Sequence, residues 1–306
     1  MEVRGCQSVK ELEEVVELCD AAFPKTEREY FERHILKDRT LSPADTRILV
    51  KDGKITSSAQ VFPRRMYFQG GKVDIGGIGN VATLPLQRGK GFAGMVVKDS
   101  LDYIRKKNLS ISFLTTTINT YYEKFDFTTV RRCIGQINLA SVKENAHVRR
   151  FDRDRDLDKL MRLYAHYNKD SNGPIIRDTN YWLSQLDFCG EDKNLFYLYE
   201  DADEVLAFVR AKRKFDLIQV LEYGFADNRG EIMRILFEHL AFEANLAKLE
   251  MFVSDGEKAR LSFADFSGFR VDTEMMVNFI DTDLAPEIKQ VLLSENGLTF
   301  WLTDFF

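Results

Sequence analysis

Apolar positions along the first third of the chain alternate between two periods. A short extended run at residues 3–6 is followed by Leu12, Val15, Val16, Cys19 and Phe23, spaced by three and four. That spacing predicts a helix burying one face. Ser8 stands where it can cap this helix, Glu11 three positions later completes a capping box, and Pro24 ends it. Thr26 opens a second helix through Tyr30, Phe31 and Ile35. The pattern then turns to strands. Residues 46–50 meet 54–56 across Asp52-Gly53, a hairpin signal. A longer strand covers 57–67, and Gly70-Gly71 returns it as 72–78. Glycines 76, 77 and 79 mark either a close backbone approach or a β-bulge. A short strand at 81–84 leads through a loop to a helix carrying Met95, Val96, Val97, Leu101 and Ile104 inward. Its end, Arg105-Lys106-Lys107, suits the negative pole of the helix dipole. A strand at 110–114 closes a strand–loop–helix–strand unit.

The loop in that unit, Arg88-Gly89-Lys90-Gly91-Phe92-Ala93, is the centre of the chain's chemistry. Small residues let a backbone come close to a ligand. A helix starting near Gly91 aims unpaired N–H groups and a positive dipole end back at the loop, an arrangement that holds phosphate or pyrophosphate. Arg88 and Lys90 add mobile positive charge at the rim. Two other phosphate loops fail: no Ser or Thr follows a suitably placed Lys, and no G-x-G-x-x-G opens the first βαβ unit.

With the preceding Val81-Ala82-Thr83-Leu84-Pro85, these residues resemble the pyrophosphate loop of the GNAT superfamily of acetyl-CoA-dependent N-acetyltransferases. Its signature is Gln/Arg-x-x-Gly-x-Gly/Ala after a V-x-x-x-P strand. Further on, Tyr122-Glu-Lys-Phe-Asp126-Phe127 resembles the family segment Y-x-x-x-G-F, with Asp126 in the glycine position. The resemblance implies acetyl-CoA as co-substrate, no metal, and contacts from Val81, Ala82, Thr83, Arg88, Gly89, Lys90, Gly91, Phe92 and Ala93. It also implies Tyr122 as general acid toward the leaving thiolate, and a backbone N–H on strand 81–84 polarising the carbonyl. Tyr121 points elsewhere by neighbouring-residue logic. Asp74 and Glu123 are reachable base candidates and equally ordinary surface carboxylates, so no base is assigned.

After a polar, charged linker at 139–150, the order of elements repeats. A helix at 156–167 and a helix start at Arg177-Asp-Thr-Asn-Tyr-Trp182 precede strands at 195–199, 205–211 and 217–223. A helix at 231–247 and a strand at 249–253 then lead to Gly268-Phe269. The run Asp152-Arg-Asp-Arg-Asp156 reads as solvated surface. In place of the loop this copy has Ala226-Asp-Asn-Arg-Gly230, whose flanking Asp227 and Glu231 would repel a pyrophosphate, so no second cofactor is expected. The expectation is an α/β (α+β) fold of two tandem GNAT-like domains, each a mixed, splayed sheet flanked by helices. The N-terminal domain spans 1–145, and a degenerate copy with a short tail spans 146–306. The wording G-x-V-A-T-x-P-x-x-R-G-K-G and the Arg177–Trp182 element are similar to the Eis-like (enhanced intracellular survival) acetyltransferases. In that group a sterol-carrier-type third domain follows and a terminal carboxylate serves as base. Residues 281–306 are too short for such a domain. The chain ends Asp304-Phe305-Phe306, so the Phe306 carboxylate reaching Tyr122 and a packed terminal strand at 298–302 stand as the two readings.

Composition narrows the partners. The 306 residues are 44% apolar and 30% charged, with net charge −5. This disfavours a nucleic-acid binder and mildly favours cationic or neutral small substrates. Four scattered cysteines without C-x-x-C spacing argue against a disulfide framework or zinc site and point to a reducing cytoplasm. No apolar run has the length of a membrane span. The leading expectation is therefore acetyl transfer from acetyl-CoA to a primary amine of a small molecule, directly in a ternary complex. The alternative is a non-catalytic acyl-CoA-binding or protein-interaction module of the same shape. A Cys133 acyl-enzyme is weighed and set aside, since free cysteines are usually small buried apolar groups. The acceptor's identity and a homo-oligomeric state are left open.

Overall fold

The computed structural model of the chain describes residues 1–140, 142–189, 195–227, 229–281, 283–284, 286–295 and 297–304. The Asp52-Gly53 hairpin is present. β2 (Thr46–Lys51) turns into β3 (Lys54–Phe68) through Asp52 and Gly53, both at positive φ (51° and 74°). Two expected strand breaks are absent. The segments 54–56 and 57–67 are the single strand β3, and 72–78 and 81–84 join as β4 (Gly71–Thr83). Pairing runs from Phe68 opposite Gly71 to Ser57 opposite Thr83, with one register slip between Ser58 and Gln60. Asn80, across from that slip, is left-handed (φ 49°), so the glycine-rich stretch carries a β-bulge. Gly76 also lies directly under a side chain of the same sheet's covering helix: a Cβ there would lie 2.7 Å from Ile104.

In α1 (Val9–Ala22), Ser8 Oγ accepts from Glu11 N. The Glu11 carboxylate accepts from Gln7 N and pairs with Arg4, so the expected capping box is displaced by one residue. Phe23, expected inside, sits exposed at the helix end. The second helix is α2 (Arg28–Phe31) followed by a π-helical turn, Glu32–Leu36.

Two seven-stranded mixed sheets organise the rest. The first runs β1 (Glu2–Gly5), β2, β3, β4, β5 (Ile111–Thr115), β14 (Met275–Phe279) and β6 (Thr128–Thr129). The second runs β13 (Phe266–Asp272), β7 (Arg132–Asn138), β12 (Lys248–Phe252), β11 (Leu217–Phe225), β10 (Glu204–Lys214), β9 (Leu195–Asp201) and β8 (Val148–Arg150). The sheets exchange strands. β7 precedes residue 145 yet lies between β13 and β12, and β14 belongs to the last part of the chain yet lies between β5 and β6. The boundary at 145/146 expected from the sequence therefore does not separate the two sheets. Hydrophobic period specifies that a segment is a strand, not which edge it joins. The Gly268-Phe269 pair lies within β13, with Gly268 at φ 58° in a register slip.

Helices α5 (Arg153–Asn168), α6 (Thr179–Cys189) and α7 (Gly230–Ala244) flank the second sheet. The charged run that opens α5 is not simply solvated: Asp156 is fully buried, held by both Nη atoms of Arg149 at 2.6 and 2.8 Å, while Asp152 caps the helix. β11 and β12 pair in parallel only at Ile218–Leu249 and Gln219–Glu250. Beyond these pairs Phe300, Trp301 and Leu302 pack beside Leu221, Tyr223, Met251 and Phe252, leaving a void of about 10 Å³. The tail is thus packed, but not as the expected strand: it is irregular until a 3₁₀ turn at Leu302–Asp304. Phe305 and Phe306, and with them the Phe306 carboxylate, lie outside the described residues.

Asp304 ends in a buried ionic cluster. Arg177, Glu222, Arg210 and Asp304 are wholly enclosed. Arg177 donates through Nε to Asp304 (3.0 Å) and approaches Glu222 at 2.7 Å, and Arg210 approaches the same Glu222 at 3.3 Å. Tyr181 donates its hydroxyl to Asp304 at 3.0 Å. Burial raises the Asp304 carboxyl despite Arg177, whereas for Glu222 burial acts upward but the two arginines outweigh it and hold the carboxyl low.

Candidate functional site

α3 (Phe92–Lys106) begins directly after Gly91, which is left-handed (φ 79°) and offers no side-chain cap. Gly89 has the same φ, and a Cβ at either glycine would meet nothing within 4 Å. Here glycine answers the backbone conformation, and the space beside it is open. Successive amides in such a turn, followed by an uncapped helix start, form an anion-binding concavity. The rim charges behave differently from expectation. Arg88 is not mobile: its guanidinium donates to Ala22 O (2.8 Å) and Thr83 O (3.4 Å), clamping the loop to the end of α1. Lys90 donates to the Gln87 side chain at 2.9 Å.

Beside this loop the first sheet opens. β4 and β5 are parallel partners from Ile75–Ile111 to Ile78–Leu114 and then part, so the edge of β4 from Gly79 onward has no β5 partner. The opening is a cleft of about 590 Å³. Gly79, Asn80 and Val81 form one wall, residues 114–118 another, and Phe23, Thr26, Tyr30 and Phe31 a third. Asn80 is fixed by donating to Gln60, which in turn donates to the backbone of His34, so the bulge is tied to the segment after α1. A ligand lying extended along the free edge of β4 can pair with it as an added strand does.

Tyr122 reaches this cleft from α4 (Asn119–Glu123). The helix is pinned at its start by Asn119, which donates to Thr129 and to Thr273 O, both at 2.8 Å. The Tyr122 ring is 8% exposed and meets Tyr121 and Phe127 edge-on. Burial, then the neighbouring Tyr121, pushes its hydroxyl up to about 12, so it remains a proton donor at neutral pH. Tyr121 turns instead toward the first turn of α3: its hydroxyl would lie 3.8 Å from a Cβ on Gly94. Asp126 adopts the left-handed conformation (φ 65°) that its glycine-like position requires. Asp126→Gly is therefore expected to be neutral or stabilising by up to about 1 kcal/mol, and Asp126→Val destabilising by about 1–2 kcal/mol, as read in thermal melts.

Of the remaining residues singled out from the sequence, Val81 lines the cleft, while Gly89, Lys90 and Gly91 are exposed in the loop. Ala82 is buried against α1, and the Thr83 hydroxyl bonds Ser57 (2.8 Å). The Phe92 side chain belongs to the core with Leu49, Ala59 and Val96, leaving only its backbone for a ligand, and Ala93 is half-buried. Neither base candidate is in the cleft. Asp74 pairs with Arg65 at the far end of β4, and Glu123 is exposed on the outside of α4. Cys133, buried on β7 in the other sheet, is not in the cleft either. The carboxylate the structure does place there is Glu274, just before β14, whose carbonyl accepts from Thr116 N. No local pattern announces it, because it arrives on an exchanged strand more than 150 residues downstream of Tyr122.

A family model for the acetyltransferase (GNAT) domain matches residues 3–130. No curated protein sequence matches the chain. Among solved structures, a conserved protein from Enterococcus faecalis described as a probable N-acyltransferase superposes with a TM-score of 0.72 at 16% identity, covering 92% of this chain and 73% of that one. Eis1 from Mycobacterium abscessus gives 0.68 at 15% identity, covering 94% and 76%. N-myristoyltransferase from Saccharomyces cerevisiae, with bound myristoyl-CoA, gives 0.60 at 12% identity, covering 91% and 78%. No helix among the described residues is long and apolar enough to cross a membrane. Residues 3–130 thus match the acetyltransferase (GNAT) domain, and the chain as a whole shares its two-sheet fold with Eis1.

Proposed function

We propose that this chain is an acetyl-CoA-dependent N-acetyltransferase acting on a primary amine of a small molecule, by direct transfer within a ternary complex. The observation that carries this reading is the parting of β4 from β5 beside a glycine loop, with Tyr122 on the cleft wall. The residues fit the coenzyme: uncapped amides at Gly91 to Ala93 suit a pyrophosphate, and the unpaired edge of β4 suits an extended arm. Acetyl-CoA would supply an activated acyl group on a thioester. The chain's own contribution is to orient and to move protons. The β4 edge amides offer donors to a polarised carbonyl oxygen. Tyr122, on the cleft wall, holds its proton at neutral pH and in this reading gives it to the departing thiolate. Phe23, Tyr30 and Phe31 give the cleft an aromatic wall against which an acceptor's apolar part can rest. Direct attack is favoured over an acyl-enzyme because no cysteine lines the cleft among the described residues. A soluble, cytoplasmic setting fits the substrate chemistry.

The test is calorimetric titration with coenzyme A, together with thiol release from acetyl-CoA over a panel of primary amines. Binding with stoichiometry one and an acetylated product from at least one amine are expected. Tight binding with no product from any amine would replace the enzyme by a coenzyme-binding module. Gly91→Glu, which sets a like charge and a strained side chain at the loop, should weaken coenzyme binding by about 100-fold or more while the melting curve shifts only slightly. Retained affinity would move the phosphate site elsewhere.

A further inference from the structure

Among the described residues, Glu274 is the single charged one lining the cleft. The rest of the lining is aromatic, aliphatic or neutral polar, Thr115, Thr116 and Thr117 included. Its placement is built in. Thr116 N donates to its carbonyl (2.8 Å), Met275 next to it pairs with Thr115 of β5, and Asn119 of α4 holds Thr273 O. The residue is thereby locked between the strand that forms one wall and the helix that carries Tyr122. Its carboxylate forms no ion pair among the described residues. Arg132, whose charge it feels, is bound to Asp272 through Nε at 3.0 Å.

We infer that Glu274 determines acceptor specificity by holding a second ammonium group, so that the preferred acceptor is a diamine. This rests on the reading of the cleft as an acetyl-transfer site. One nitrogen of such an acceptor gives its ammonium proton to solvent and attacks as the free amine; the other stays charged and pairs with Glu274. A lone negative charge on an otherwise uncharged wall gives an elongated cation one favoured orientation, with its uncharged end toward Tyr122. A monoamine has nothing to place against Glu274 once its only nitrogen is neutral. The residue is thus a specificity determinant supplied by the second half to a reaction centre in the first.

The experiment compares 1,6-diaminohexane with hexylamine, acetyl-CoA saturating, in the wild type, Glu274→Gln and Glu274→Lys. The wild type should favour the diamine in kcat/KM. Glu274→Gln should cut that preference about fivefold through KM, and Glu274→Lys should cut it further, with coenzyme affinity unchanged in both. The isosteric amide also reports on folding, through its melting temperature. An unaltered diamine-to-monoamine ratio in both variants overturns the assignment, as does an equal loss for both amines, which would make Glu274 a structural residue. If the wild type binds no coenzyme A, or acetylates neither amine nor any other, the acetyl-transfer reading itself fails.

Discussion

Tyr122→Phe is expected to lower kcat by roughly 100- to 10,000-fold while coenzyme affinity changes little, the range for losing a positioned general acid. The substitution removes one oxygen from a ring that is otherwise core-packed against Tyr121 and Phe127, so the fold has little reason to respond. The pH profile carries the sharper test. Because burial pushes the Tyr122 hydroxyl up to about 12, the proton stays on through the usual assay range, and no falling limb assignable to Tyr122 should occur below about pH 10. The rising limb belongs to the acceptor's own nitrogen and should survive in the variant. A rate within threefold of the wild type would leave Tyr122 as packing alone.

Arg177→Met should be the most destabilising single change proposed for this chain, by about 3–5 kcal/mol, because it leaves a buried carboxylate without its cation. Glu222 keeps Arg210 and the Thr303 hydroxyl, but Asp304 keeps only tyrosine hydroxyls. At roughly 2–4 °C per kcal/mol for a chain of this size class, the melting temperature should fall by about 10 °C. Differential scanning calorimetry reads it directly, and a fall under about 2 °C would mean that the cluster's charges are individually dispensable. Asp304→Asn offers a contrast, since it removes the buried negative charge and keeps the shape; its loss should be clearly smaller.

These two residues also mark what a reader of the sequence can and cannot obtain. Tyr122 was legible because everything that places it is local: a loop, a helix, a strand and a short turn follow each other without interruption, and Asp126 only had to take a backbone conformation that aspartate tolerates. The helix faces and the Asp52-Gly53 hairpin were legible for the same reason. Arg177 was noticed as part of a motif, yet its burial was invisible, since its partners Glu222 and Asp304 lie 45 and 127 positions away. Asp156 looked like surface because charge alternation says nothing about an Arg149 folded back over it. Glu274 was missed altogether: it enters the cleft through strand pairing, and pairing partners are not written in hydrophobic period.

The exchange of β7 and β14 also governs the order in which the molecule can assemble. During synthesis the first sheet can form its hairpins early, but β5 must wait with a bare edge until residues 275–279 have left the ribosome. An open edge of that kind is an invitation to pair with another chain. A gene fragment ending near residue 130, where the acetyltransferase match stops, would produce that waiting state permanently, and inclusion bodies should be its fate.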